Sequence, residues 1–66
     1  MHEIDVWRTA YLLMREYALE AALIASTRAD ALLAQGDLKG FAVWKRVVAA
    51  IADLERDKPR NGEAIN

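Results

Sequence analysis

Leu32-Leu33-Ala34-Gln35-Gly36-Asp37-Leu38-Lys39-Gly40-Phe41 is the stretch that decides how this 66-residue chain folds. Before it runs a segment of good helix formers, and after it runs another with the largest apolar load in the sequence. Gly36 takes the left-handed conformation of a helix C-terminus without steric cost. Asp37 can accept hydrogen bonds from the free N–H groups of the helix it opens. The pair predicts an antiparallel hairpin of two helices around Gly36. The second of them runs from Leu38 to Asp57 and carries Phe41, Val43, Trp44, Val47, Val48, Ile51 and Leu54. Gly40 lies one turn in, on the apolar side. An exposed glycine there costs about 1 kcal/mol against alanine, so close backbone contact is the expected reason for it.

Working back from the turn, residues 16–35 contain neither Gly nor Pro. A single helix from Ile4 to Gln35 would be about 48 Å long. Its phase argues against continuity. Ala21, Ala22, Ala25, Ala29, Leu32 and Leu33 form one apolar arc. Val6, Trp7, Ala10, Tyr11, Leu13, Met14, Tyr17 and Ala18 form another, centred about 60° away. A break or bend near 17–20 lets both arcs face one core. The expected helices are then Ile4–Tyr17, Leu19–Gln35 and Leu38–Asp57, with Asp5 or Glu3 capping the first. The alanine-rich second helix allows close axis approach and is expected in the middle, gripped by its neighbours. Residues 58–66 combine Pro59, Gly62 and polar residues without a period and read as a mobile tail.

Composition narrows the function. With no cysteine, thiol chemistry and disulfides are excluded, and a cytoplasmic setting is expected. Setting aside the thirteen alanines leaves 23 larger apolar side chains, enough to fill a small helical core. A formal net charge of −1 gives no broad electrostatic drive toward nucleic acid. No apolar run reaches the ~18 residues of a membrane span, and the acidic N-terminus does not resemble a secretory signal.

No constellation for catalysis stands out. His2 is the only histidine and reads as solvated. Thr9, Ser26 and Thr27 have no partnering base, and helical Ser and Thr most often hydrogen-bond back to the backbone. Gly36 and Gly40 do not form a phosphate loop. Neither cofactor nor metal is expected, and the chain reads as non-enzymatic. Trp7 and Trp44 fall in apolar arcs and read as core-edge residues. Arg28 has no acid three or four residues away. It is expected either to reach an acid on another helix, Asp53 being the candidate, or to lay its stem over Leu32.

From Trp7 to Leu54 the chain resembles a family of short, mostly alphaproteobacterial proteins with no assigned activity. Leu12-Leu13, Arg28-Ala29-Asp30-x-Leu32-Leu33, Gly36-Asp37-x-x-Gly40, Val43-Trp44-x-Arg46 and Ala50-Ile51 carry the resemblance. It implies a small all-helical protein and no catalytic residues. Family members tend to have Gly where this chain has Ala18.

The expectation is therefore an all-α, three-helix domain over residues 1–57. Its core should hold Trp7, Tyr11, Met14, Ala25, Ala29, Leu32, Val43, Trp44, Val47, Ile51 and Leu54. Leu12, Leu23 and Ile24 lie off the core arcs and are the candidate protein interface, either with a partner or in a homodimer. Arg28, Gly36, Asp37, Gly40 and Trp44 are the expected structural residues. The alternative is a helix-turn-helix-like nucleic-acid binder using the Gly36 turn with Lys39, Lys45 and Arg46. The broad apolar face of the last helix weakens that alternative.

Overall fold

The computed structural model describes residues 2–57. The predicted tail, 58–66, lies outside them. Among the described residues the chain is helical with no strand. A first arm, residues 3–34, is bent into α1 (Glu3–Tyr17) and α2 (Ala21–Ala34) by a single 3-10 turn at Ala18–Glu20. The turn at 35–37 leads into α3 (Leu38–Asp57).

The second connection is built as its residues dictate. Gly36 sits at φ +80°. Its N–H donates to the Leu33 carbonyl at 2.9 Å, and the Asp37 N–H donates to the Leu32 carbonyl at 2.9 Å. This pair of hydrogen bonds is the Schellman closure, which satisfies two of the last free carbonyls of α2. Asp37 then caps α3, its Oδ1 accepting from the Gly40 N–H at 2.9 Å. Gly40 is needed for that cap rather than for contact with another backbone. A Cβ there would stand 2.7 Å from Asp37 Oδ2 and 3.1 Å from Leu32 Cδ1.

The first connection has no such signals. Ala18 closes α1 at φ +51°, ψ −119°, a conformation an L-residue with a Cβ rarely takes. Its N–H still donates to the Met14 carbonyl. Neither the 3-10 turn nor α2 receives a side-chain cap. The N-terminus of α1 also departs from expectation. His2 occupies the cap position without a side-chain bond. Glu3 and Asp5 lie inside the first turn, where they meet the positive end of the helix dipole. Glu3 pairs with Arg46 of α3, and Asp5 faces Arg8 at 3.7 Å.

Two sets of pairings orient the helices. Arg28 lies over Trp44, and Leu32 reaches Gly40, so α2 runs opposite to α3. The same register sets the fully buried Ala25 and Ala21 opposite the fully buried Val47 and Ile51. Glu3 pairs with Arg46, while Tyr11, Met14 and Leu54 line one hollow further along, so α1 runs in the same sense as α3. α3 therefore lies against both α1 and α2, which touch each other only sparingly. The helix in the middle is α3, not the alanine-rich α2. Alanine works here by bringing α2 close to a larger neighbour, and only α3 has large side chains on enough of its circumference to meet two helices.

The core is Val6, Ala10, Ala21, Ala25, Val47, Ala50 and Ile51, with Leu13, Met14, Ala22, Trp44, Val48 and Leu54 packed around it. Ala29 is buried one turn further along α2. Four expected core residues are not there: Trp7 is 36% exposed and Tyr11 57%, while Leu32 and Val43 are half-buried outside the cluster. α1 meets α3 through Val6 and Ala10, whose small size draws the axes together. The large rings beside them fall outside the seam.

Candidate protein-interaction surface

That displacement creates the most distinctive surface feature of the molecule. Ile4, Trp7 and Tyr11 follow one another at helical spacing and lie within about 60° of each other on α1. Their stripe is roughly 100° around the helix from the buried side. Ile4 is 65% exposed, so the stripe is wet at its N-terminal end as well as in its middle. At its C-terminal end it opens into the shallow hollow lined by Tyr11, Met14, Arg15 and Leu54. Aromatic side chains beside a partly buried Met and Leu form the kind of surface that gives up water readily on contact with another protein. Sequence reasoning missed the stripe because Trp7 and Tyr11 share one apolar arc with the buried Val6 and Ala10. Only the width of that arc, greater than one neighbour can cover, hinted at the division.

The predicted interface residues are placed as follows. Leu12 and Leu23 are exposed, and Ile24 is half-buried. Leu12 borders a polar hollow with Arg15 and Glu16. Ile24 borders another with Thr27, Arg28 and Ala31. Leu23 and Ile24 point about 100° apart on α2. Leu12 and Ile24 thus border different hollows, and Leu23 and Ile24 face different sides of α2. Leu19, at the joint, is 92% exposed.

Arg28 forms no ion pair with Asp53, the acid expected for it. Its guanidinium carbon stands 5.1 Å from the centroid of the Trp44 ring. Asp53, the acid proposed for it, is held by Arg56 one turn away. The cation over the indole face fixes α2 against α3 while leaving the Arg head hydrated. The ring is partly buried and packs against the core.

Of the basic residues of the helix-turn-helix reading, Lys39, Lys45 and Arg46 are all exposed, with Arg46 engaged by Glu3. Around Lys45 the outer face of α3 carries Ala42, Ala49 and Ala52, which offer no hydrogen bonds to base edges. No group of three or more His, Asp or Glu among the described residues is arranged to hold a metal ion. No helix among them is long and apolar enough to cross a membrane. No protein-family profile, curated protein or solved structure matches the chain.

Proposed function

We propose that this chain is a non-enzymatic interaction module, a three-helix domain that associates with a second copy of itself. The observation that carries this reading is the Ile4–Trp7–Tyr11 stripe, an apolar face on a helix that has already satisfied its own core. A chain this small gains most from covering such a face, because its own core is modest. A second copy supplies a matching face at equal concentration and needs no other gene product. The setting proposed is cytoplasmic, in keeping with the absence of cysteine. Membership of the short alphaproteobacterial family belongs to the same proposal and adds no activity to it.

Solution mass by light scattering over micromolar to millimolar concentrations tests the reading. The native chain should shift from monomer to dimer, and Trp7→Glu with Tyr11→Glu should hold it monomeric with unchanged helicity. A native chain that stays monomeric throughout would overturn self-association. The nucleic-acid reading predicts retention on DNA that weakens steeply with salt. Retention at low salt, reduced by Lys39→Glu and Lys45→Glu, would replace the present proposal.

A further inference from the structure

Among the described residues, Ala18 is the one non-glycine held at positive φ. Every neighbour from Glu16 to Gln35 is compatible with continuous helix, and neither Gly nor Pro interrupts them. The bent conformation is therefore held by the packing of Val6 and Ala10 against α3, not by local preference. Straightening the joint would relieve φ +51° and convert the 3-10 turn into about one α-helical turn. It would also pull α1 off α3.

We infer that a second copy of this chain supplies the missing contact by exchange: two chains straighten at Ala18 and each lays its α1 on the partner's α3. Three observations support this. First, α1 makes few contacts with α2, so it can leave as a unit with little else disturbed. Second, the directions fit a two-fold axis. α2 runs opposite to its own α3, and α1 runs in the same sense as the α3 it packs on. In a symmetric pair of straight arms lying antiparallel, the partner's α3 runs in the same sense as the first chain's arm. The parallel α1–α3 packing is thus preserved between chains. Third, the phases fit. In one continuous helix the buried sides of α1 and α2 lie roughly 60–70° apart, which leaves both on one half of a rod about 48 Å long. The exposed Tyr17 then falls on the same side as Val6 and Ala10, where the two arms pass each other. Short strained hinges between packed elements favour such exchange.

This inference rests on self-association and replaces docking through the aromatic stripe, which stays on the outside in the exchanged pair. An exchanged dimer therefore persists in Trp7→Glu with Tyr11→Glu, where a stripe-docked one is lost. Its test uses the chain's lack of cysteine. A Glu3→Cys chain and an Arg46→Cys chain are unfolded together, refolded and treated with a short bismaleimide. Exchange joins the two different chains through residues 3 and 46, because those residues face each other across the α1–α3 contact. Ala18→Val, whose branched side chain opposes positive φ, should tighten dimerisation; Ala18→Gly should weaken it. Strain at one such residue corresponds to roughly tenfold in an equilibrium, hence roughly a hundredfold for a dimer with two joints. Glycine keeps the closed fold accessible, so its comparison with the native chain stands even where Ala18→Val folds poorly. Equal dimerisation by the native and Ala18→Gly chains, or a dimer without the 3–46 link between chains, would overturn exchange. The second outcome would leave docking through the stripe in place, whereas a monomer at every concentration would remove both.

Discussion

The joint at Gly36 links α2 to α3 and the joint at Ala18 links α1 to α2, yet they are built in opposite ways. At Gly36 each residue prefers the conformation it holds. Glycine takes φ +80°, two carbonyls of α2 are closed by backbone N–H groups, and Asp37 caps the next helix. At Ala18 nothing local asks for a turn. A residue with a Cβ sits at φ +51°, and no side chain caps either flank. The first joint would turn in an isolated peptide. The second turns only because Val6, Ala10 and Ala21 are buried together with Ile51 and Val47 when it does. Local and tertiary causes of a bend are thus separable within one small domain, and they predict different responses to mutation.

The largest effect should come from removing the packing that holds the Ala18 bend. Ile51 is fully buried at the centre of the core, and Ile51→Ala should lower stability by about 2–5 kcal/mol in chemical denaturation. Amide exchange should speed up more at 17–21 than at 35–38 in that variant. Equal acceleration at both joints would erase the distinction drawn here. Next in size is Gly36→Ala. No atom lies within 4 Å of the added Cβ, so its cost is purely conformational, about 1–2 kcal/mol. Ala18→Gly should act with the opposite sign, raising monomer stability by about 1 kcal/mol as relieved strain outweighs the added freedom of the unfolded chain. Loss of stability there would mean that the joint is not strained. The smallest effect is a coupling. Gly40→Ala gains helix preference but pushes on the Asp37 carboxylate, so alone it should be nearly neutral. In an Asp37→Ala background the same change should stabilise, with a coupling of about 1 kcal/mol in a double-mutant cycle.

The accuracy of the sequence reading follows the same division. Gly36 and Asp37 were legible because turn chemistry is carried by the residues themselves. The bend near 17–20 was legible only indirectly, through two apolar arcs that could not share one face of a straight helix. Its geometry was not, since alanine gives no sign of a positive φ. Trp7 and Tyr11 were misplaced because periodicity locates an apolar arc without saying which part of it meets a neighbour. Arg28 was misassigned for a related reason. Its partner across the helix pair is an indole face, and sequence rules for charged residues look first for an acid. Leu12 and Leu23 were legible as exposed, but not as separated from Ile24.

By itself the sequence determined that the chain is helical, where α3 begins, and how the hairpin between α2 and α3 closes. Those features depend on residues within a few positions of one another, where backbone preference and capping act directly. Only the tertiary structure decided that α3 lies in the middle, that Ala18 bends against its own preference, and that an aromatic stripe of α1 is left outside. These depend on which side chains reach across between helices. Small alanines at the seams let the helices approach, and at the α1 seam that approach leaves Trp7 and Tyr11 outside.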